Sequence, residues 1–420
     1  MCVCVFVCVC VCIYALYIIV EVLRSFEREF VVFGVCVDRS LERERERERE
    51  MTTTATMMRV MKAMCGSGSG GVRSYSAAAA SVPSTMAAAV IRETGPASVM
   101  KLEREYPTPT LSPGAVLIQN EFAGVNFIDT YHRSGLYKRE LPFIGGQEGG
   151  GVVAAVSPEA AQFCKVGDRV AYSSVFQTYC EYTSVPGNKV LPVPDGLDMA
   201  TAVACGVQGL TAHYLTHSAH ADLVKPGEWM LIHSAGSGTC QWASQMAKIR
   251  GYKVIGTCSR RKEAVARATG VDELIVLDEK PGTAYSDYSS VDIVAKVMEI
   301  TKNQGVKCVI DGIGLATWEI ALDSLARRGI FVSFGNASGA VPAYPPLRHI
   351  GKSTFMTRPK LNDYTVTRDE LLERAHDIFQ WVQEGKLKVN VDKVFSLSEV
   401  SLGHEYLEAG KSTGKVLYKI

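Results

Sequence analysis

The chain has 420 residues, 47% of them hydrophobic and 21% charged, with a formal net charge of +1. This length allows two or three domains, and the balance is typical of globular proteins in water. A near-neutral charge argues against a nucleic-acid partner held by bulk electrostatics. Of the thirteen cysteines, seven precede residue 86 and six follow without C-x-x-C spacing, which disfavours a disulfide framework and favours a reducing compartment.

Two short alternations mark the first 50 residues. Residues 1–20 alternate cysteine and valine before large apolar residues, and residues 41–50 alternate glutamate and arginine. Translated TGTGTG encodes Cys-Val and translated GAGAGA encodes Glu-Arg, so we interpret both as read-through of untranslated repeats. The alternative is a membrane anchor, because residues 3–20 approach the length of a spanning helix. We expect no stable membrane anchor.

Residues 51–85 have a different composition, with three basic residues, no acidic residue and many serines and alanines. This pattern is typical of a mitochondrial presequence beginning at Met51 or Met57, and a dispensable flexible leader would have the same composition. A start at Met86 would instead leave the protein in the cytosol. We therefore expect residues 1–85 to be a leader, and the compartment to be cytoplasmic or mitochondrial.

From residue 86 to about 185 the pattern predicts a compact β-rich domain, because short strands broken by turns show little helical periodicity. Strands and helices then alternate up to about residue 339, which predicts an α/β domain with a parallel sheet. An amphipathic helix at residues 368–384 and a strand at 414–418 complete the chain. A cleft between the two kinds of domain is the expected site.

Residues 229–262 predict the first β-α-β unit of a dinucleotide-binding fold. A buried run at 229–232 leads through small residues into a helix at 239–250 and a second strand at 253–256. Small side chains let a pyrophosphate reach backbone N–H groups at a helix N-terminus, where the dipole favours negative charge. We predict phosphate contacts at Ala235, Gly236, Ser237, Gly238 and Thr239. Because no third glycine follows, a tight turn without a ligand is the alternative.

The end of the second strand reads Ser259-Arg260-Arg261-Lys262. NAD-binding proteins place an acidic residue there to bind the ribose 2′-hydroxyl, and no carboxylate is present at this position. Cations oppose the dipole at a helix N-terminus, so an anion is needed to balance them. We therefore predict that Ser259, Arg260, Arg261 and Lys262 hold the 2′-phosphate of NADPH. A solvated charge run that opens a helix is the alternative.

Several motifs resemble one family. They are N-F-I-D-T-Y at residues 126–131, R-S-G-L-Y at 133–137, D-G-I-G at 311–314 and V-S-F-G-N-A-S-G at 332–339. They resemble the zinc-free, zeta-crystallin-like NADPH:quinone oxidoreductases of the medium-chain dehydrogenase/reductase superfamily, and the resemblance covers residues 86–420. It implies an α/β protein with a GroES-like catalytic domain (86–210 and 341–420), a Rossmann NADPH-binding domain (211–340) and a homodimer.

The resemblance also implies the site. The catalytic residues it places around the nicotinamide and substrate are Asn126, Asp129, Tyr131 and Tyr137. Further cofactor-binding residues are Thr211, Gly312, Phe334, Gly335 and Asn336. We expect the two tyrosines to orient or hydrogen-bond a quinone, whose reduced product is a stabilised phenolate and needs little acid catalysis. Alternatively, both tyrosines only pack the cleft wall.

Zinc-dependent relatives provide a test for a metal. They carry cysteine where Asn126 stands and Gly-His-Glu where residues 146–148 read Gly-Gln-Glu. Neither Asn nor Gln is a competent zinc ligand in such a site, so we expect no metal. His213, His217 and His220 share a helical face, and we expect them to be solvated histidines rather than metal ligands.

Three positions depart from the family pattern. Cys240 stands where the last glycine of the turn falls, Gln208 replaces a common lysine, and Leu277 replaces a tyrosine at the adenosine end. The implied function is metal-free, NADPH-dependent reduction of quinones. Reduction of activated C=C bonds, in enones or trans-2-enoyl thioesters, is the enzymatic alternative. A crystallin-like or RNA-binding role is the other, and no stripe of aromatic and basic residues supports it.

Overall fold

The structure is a computed structural model that describes residues 82–279, 282, 284 and 287–420. The interpretations of residues 1–81, as repeats, anchor or presequence, lie outside the described residues. Within these ranges, no helix combines the length and apolarity that crossing a bilayer requires.

The first part of the chain is rich in short strands, as expected. The strands are β1 (Thr85–Ile91), β2 (Met100–Pro107), β3 (Ala115–Val125), β4 (Phe143–Ile144), β5 (Glu148–Val156), β6 (Arg169–Ser173), β7 (Tyr182–Pro186) and β8 (Val190–Pro192). Helix α1 (Phe127–Ser134) follows β3; a capping box formed by Asn126 and Asp129 starts it, and Gly135 in the left-handed region ends it.

A bent helical segment connects this part to the next. It consists of α2 (Met199–Ala204), a π-helical turn at Cys205–Gly209 and α3 (Leu210–His217). Gly206 has non-helical backbone angles at the bend. The bend places residues 206–208 beside β5, where the backbone N–H of Val207 donates to the Glu148 carboxylate. A mid-helix π turn of this kind is typical of functional sites.

The predicted nucleotide-binding domain contains the strands β9 (Trp229–Ile232), β10 (Lys253–Cys258), β11 (Glu273–Val276), β12 (Val306–Asp311), β13 (Leu325–Ser333) and β14 (Phe355–Thr357). They form a six-stranded, all-parallel sheet in the order β11-β10-β9-β12-β13-β14. Its helices are α4 (Gly238–Ile249), α5 (Glu263–Ala268), α6 (Ile293–Ile300) and α7 (Trp318–Ser324). Met230 and Ile232 join one core cluster and Leu231 joins another. The sheet is therefore buried on both faces, which confirms the doubly wound fold.

The parallel sheet continues past residue 340, where we expected the nucleotide-binding domain to end. Its sixth strand, β14, is only three residues long, too short for a period-2 pattern to reveal it. Helix α8 (Arg368–Gln383) then packs on α3, and Leu371 and Ile378 join Leu215 in the same core cluster.

The chain ends in the catalytic domain with β15 (Val391–Ser396), α9 (Val400–Glu408) and β16 (Lys415–Lys419). Strand β16 pairs parallel with β15 and antiparallel with β3. The larger catalytic sheet has the order β15-β16-β3-β5-β6-β8, with β7 also paired to β3. The last strand of the chain thus lies inside this sheet.

The prediction that the three histidines near α3 are solvated is wrong for two of them. His213 and His220 are each 1% exposed, because α8 covers His213 and Tyr252 packs against His220. His213 Nε2 lies 3.0 Å from Asp377 Oδ2, and burial lowers the pKa of His213 to about 4. Across the described ranges, no group of three or more His, Cys, Asp or Glu residues could hold a metal ion.

Candidate active site

The glycine-rich turn between β9 and α4 is fixed to the end of β10. Ser234 adopts the left-handed region (φ 57°), and its N–H donates to Thr257 Oγ1 at 3.0 Å. The N–H of Ala235 donates to the Thr257 carbonyl at 2.8 Å. A Cβ on Gly236 would lie 2.6 Å from Lys262 Cβ, so this close approach requires glycine. The turn therefore brings the predicted phosphate residues together beside the predicted cation cluster.

Helix α4 begins at Gly238, with extended Ser237 before it and no side-chain cap on its first turn. Uncapped N–H groups at a helix N-terminus suit an anion. A Cβ on Gly238 would lie 2.5 Å from Gln208 Nε2, so the amide that replaces the family lysine lies against this turn. These residues fit the pyrophosphate of a dinucleotide.

Cys240 does not obstruct this turn. Its side chain is 3% exposed and packs in the core with Leu210 and Trp242. Burial is the main reason that the pKa of its thiol rises to about 11. The Cys240 side chain thus lies in the core and not on the exposed surface of the turn.

The cations predicted to bind the 2′-phosphate follow β10 in a 3₁₀ turn at Arg260–Lys262. Arg260 and Arg261 are exposed, and Lys262 is half-buried against Gly236. Burial, and then the neighbouring charge of Arg261, lowers the pKa of Lys262. Arg261 Nη2 donates to the carbonyl of Gly410.

An acidic pair that we did not predict from the sequence lies beside these cations. Asp278 accepts a hydrogen bond from the backbone N–H of Arg260, and Arg260 Nη2 lies 4.0 Å from Glu279 Oε1. Both acids lie two and three residues after the end of β11, whose carboxyl end lies beside that of β10 in the parallel sheet. Because β11 pairs with β10, residues that follow β11 are expected near residues that follow β10, and this strand order could have predicted the acidic pair.

On the catalytic-domain side, Asn126 belongs to a buried polar network. Its Nδ2 donates to Glu148 Oε1 at 2.7 Å, and its Oδ1 accepts from Lys415 Nζ at 2.9 Å. Glu148 and Lys415 form an ion pair, and both side chains are 0% exposed. The Asn126 amide is therefore used inside the protein, which favours a positioning role. Glu148 and Lys415 were missed, and a charged residue at the start of an apolar strand is their sequence signal.

Asp129 also lies behind the cleft. It is 4% exposed, and its Oδ2 accepts from the N–H of Asn126 at 2.9 Å and from Tyr179 OH at 2.8 Å. Burial is the main cause that raises its pKa to about 7. The chain of contacts continues from Tyr179 OH to His404 Nε2 at 3.3 Å, and from His404 Nδ1 to Arg133 Nη1 at 3.1 Å. In this structure Asp129 caps α1 and positions it.

Tyr131 and Tyr137 lie together, with ring centroids 5.3 Å apart in an edge-on arrangement. Tyr137 lines a cleft of about 620 Å³ together with Ser333, Asn336 and Arg358. Burial raises the pKa of Tyr131, while the charge of Arg358 and a backbone hydrogen bond from Asn336 oppose this rise. Both tyrosines therefore lie beside the loop that follows β13. Arg358, which was missed, has no local sequence signal.

The residues predicted around the nicotinamide converge at the carboxyl ends of β12 and β13. A Cβ on Gly312 would lie 2.8 Å from the Phe334 ring, and a Cβ on Gly335 would lie 2.4 Å from the Gly312 carbonyl. Carboxyl ends of parallel strands are where such sheets bind ligands. Thr211 is half-buried in the first turn of α3.

Known proteins are similar to this chain in sequence and in fold. Residues 112–228 match the model of the alcohol dehydrogenase GroES-like domain, and residues 277–417 match that of zinc-binding dehydrogenase. The chain is 37% identical to a quinone oxidoreductase of Pseudomonas aeruginosa, covering 75% of this chain and 94% of that protein. It is 34% identical to a 2-haloacrylate reductase of a Burkholderia species, covering 79% and 98%. An Escherichia coli quinone oxidoreductase solved in complex with NADPH matches with a TM-score of 0.73 at 32% identity, covering 80% and 99%.

The fold and these matches define an oxidoreductase of the medium-chain dehydrogenase/reductase superfamily, with a GroES-like and a Rossmann domain. Within that superfamily, the chain belongs to the quinone oxidoreductase family. The second matching family model is named for zinc binding, but Asn126 stands where zinc-dependent relatives carry a cysteine ligand. Its amide is already bound to Glu148 and to the Lys415 ammonium group. Freedom from zinc stays a prediction that rests on these side chains.

Proposed function

We propose that this enzyme uses NADPH to reduce quinones without a metal. The observation that carries the proposal is the edge-on pair of Tyr131 and Tyr137, the second of which lines a cleft with Ser333 and Asn336. The uncapped glycine-rich turn lies at the same carboxyl-end edge of the parallel sheet. Similarity to quinone oxidoreductases, one of them solved with NADPH, supports the choice of acceptor and cofactor. When bound, NADPH supplies the hydride.

The residues of the chain bind and orient. The backbone N–H groups of Gly236, Gly238 and Thr239 receive the pyrophosphate, whereas those of Ala235 and Ser237 hold the turn in shape by donating to backbone carbonyls. Ser259 with the three following cations receives the 2′-phosphate. Gly312 and Gly335 let the loops after β12 and β13 pack closely around the Phe334 ring, at the end of the sheet where the nicotinamide would bind. The Tyr131 phenol keeps its proton at neutral pH and can donate a hydrogen bond to the acceptor oxygen as negative charge develops there. The Asn126 network holds the start of the helix that carries Tyr131.

The cofactor preference is tested by neutralising Arg260 and Arg261 together by substitution with alanine. Charge-assisted contacts contribute on the order of 1.5 to 3 kcal/mol each, so the dissociation constant for NADPH should rise at least about tenfold. NADH binding should stay unchanged. Arg267→Ala is the matched control, because Arg267 is an exposed arginine that pairs with Glu263 on the next helix. Equal losses of NADPH and NADH affinity in a fluorescence titration would refute the assignment.

A second candidate, reduction of activated C=C bonds, is favoured by the similarity to 2-haloacrylate reductase. The two candidates are separated by NADPH oxidation rates with a naphthoquinone, an enone, an enoyl-CoA and 2-chloroacrylate, measured side by side. Turnover of the C=C substrates alone would make the second candidate the function. NADPH oxidation that persists after chelation, with no zinc in the protein by elemental analysis, supports a metal-free reaction.

We further propose a homodimer in a reducing compartment, either the cytosol or the mitochondrion. Strand β14 ends the parallel sheet with Phe355 and Met356 exposed, which is a surface that a second copy can cover. The cysteines of the described part from Cys164 onward are free thiols, in keeping with a reducing compartment. The N-terminal peptide of the endogenous protein tests the compartment: a peptide near Met86 supports the cytosol, and one just after Arg73 supports import.

A further inference from the structure

The cleft beside Tyr137 is lined by a positively charged side chain and by no negatively charged one. Twelve residues line it, and within the described part of the chain these include Arg358 but no lysine, aspartate or glutamate. The other residues of the lining are apolar or carry hydroxyl, amide or imidazole groups. A guanidinium that faces a cleft without a nearby carboxylate attracts a negative charge.

Arg358 is held in place from one side only. Its Nη1 donates to the Ser333 carbonyl at 2.8 Å and to the Gly335 carbonyl at 3.2 Å. Among residues 82–279 and 287–420, no aspartate or glutamate forms an ion pair with it, and its Nε and Nη2 donate to no other group. The guanidinium therefore has a fixed position at the end of β13 and two N–H-bearing atoms left for a ligand.

The position of Arg358 suits the acceptor better than the phosphates of the cofactor. The glycine-rich turn follows β9, and β13 lies two strands away in the order β9-β12-β13. Adjacent strands are about 4.8 Å apart, so the guanidinium is roughly 10 Å from the strand whose end binds the pyrophosphate. Arg358 instead lines the same cleft as Tyr137, whose ring lies 5.3 Å from that of Tyr131. It thus shares the acceptor end of the cleft with the tyrosine pair.

We propose that the cleft selects acceptors that carry an anionic group, such as a carboxylate or sulfonate beside the quinone ring. Arg358 is the residue that determines this specificity, and the inference rests on the proposed function. Two oxygens of a carboxylate or of a sulfonate can accept the paired N–H groups of a guanidinium, whereas a neutral quinone leaves them unpaired. The anionic group is unchanged by the reaction. The ring takes one hydride from NADPH and one proton from solvent, giving a hydroquinone and NADP⁺.

The test compares 1,4-naphthoquinone with 1,4-naphthoquinone-2-sulfonate for wild type, Arg358→Met and Arg358→Lys. The readout is the ratio of kcat/KM for the sulfonated to the neutral quinone, because the intrinsic reactivity of each quinone cancels when ratios are compared between variants. We expect Arg358→Met to lower the ratio at least about tenfold, and Arg358→Lys, which keeps the charge and loses the paired N–H groups, to lower it less. Because Arg358 is exposed, the wild-type ratio should also fall as salt rises.

Arg348→Met is the matched control. Arg348 is a nearby arginine outside the cleft lining that pairs with Asp323, and its loss should leave the ratio unchanged. Equal ratios in wild type and Arg358→Met would overturn the inference, as would an equal fall in the Arg348→Met control.

A failure of the proposed function can be told apart from a failure of this inference. If wild type reduces no quinone, the NADP⁺-loaded protein is titrated calorimetrically with 2-naphthoate and with the neutral isostere 2-naphthamide. Tighter binding of the carboxylate that Arg358→Met abolishes supports the anionic site. Equal binding of the two compounds by wild type overturns it.

Discussion

Asp129 shows what burial does to a single carboxyl group. Its Oδ1 is buried and has no hydrogen-bond partner among the described residues, while its Oδ2 accepts two hydrogen bonds. With a pKa of about 7, the folded protein keeps a proton that the unfolded chain releases near pH 4. Because the folded state then binds more protons, the Asp129 contribution to stability is present below pH 4 and is lost as pH rises to 7.

Asp129→Asn should remove this pH dependence. The amide oxygen can accept from Asn126 N–H and Tyr179 OH as Oδ2 does, and the amide carries no charge. Relative to wild type, the variant should gain up to about 1.4 kcal/mol of unfolding free energy per pH unit between pH 4 and 7. Urea unfolding at several pH values measures this. Asp292→Asn, an exposed helix cap, is the control, and a difference independent of pH would contradict the prediction.

At the level of residues, the sequence predicts which side chains lie close together better than it predicts which hydrogen bonds they form. The resemblance brings Tyr131 to Tyr137, and the structure places their rings in contact. It does not reveal that the Asn126 amide is occupied, because its two partners lie 22 and 289 residues away. The role of Arg358 could not be predicted for the same reason, since its cleft forms only when the loops after β13 and α1 come together in the fold.

At the level of elements, the buried Lys415–Glu148 pair connects four segments. Lys415 begins β16, Glu148 begins β5, Asn126 precedes α1, and Val207 lies in the π-helical turn. Local periodicity could not predict that turn, because its bend is fixed by a contact with Glu148, 59 residues earlier. The β-α-β unit at residues 229–258 was predictable because its strands, turn and helix follow one another in sequence.

Removing one partner of this pair should be strongly destabilising. Lys415→Met leaves the Glu148 charge unpaired in the core, which costs about 3 to 5 kcal/mol. In the double variant Lys415→Met/Glu148→Gln the loss should be smaller than the sum of the single losses. Chemical denaturation of the four proteins gives the coupling free energy. Lys419→Met, at an exposed ion pair with Glu121, should cost less than about 1 kcal/mol. Additive losses would contradict the proposed coupling.

At the level of the whole molecule, the exposed edge of the parallel sheet predicts how two copies associate. Phe355→Lys on β14 should weaken the proposed dimer, because a lysine on an edge strand opposes pairing with another strand. We expect the dimer dissociation constant to rise at least about tenfold in analytical ultracentrifugation. Val394→Lys, which is exposed on the edge strand of the other sheet, should leave it unchanged. A wild-type protein that is monomeric at micromolar concentration would exclude this association.

The interior position of β16 affects the order in which a newly made chain can fold. The parallel sheet has all its strands once residue 357 has left the ribosome, but β3 and β15 receive β16 only when residue 419 has followed. At translation rates of about 5 to 20 residues per second, the 62 residues from 358 to 419 take roughly 3 to 12 s. During that interval residues 122–125 of β3, the strand that leads into Asn126, lack the partner that β16 later provides. A nascent chain that stalls in this window would thus present a full set of parallel strands beside an open, aggregation-prone sheet to which chaperones can bind.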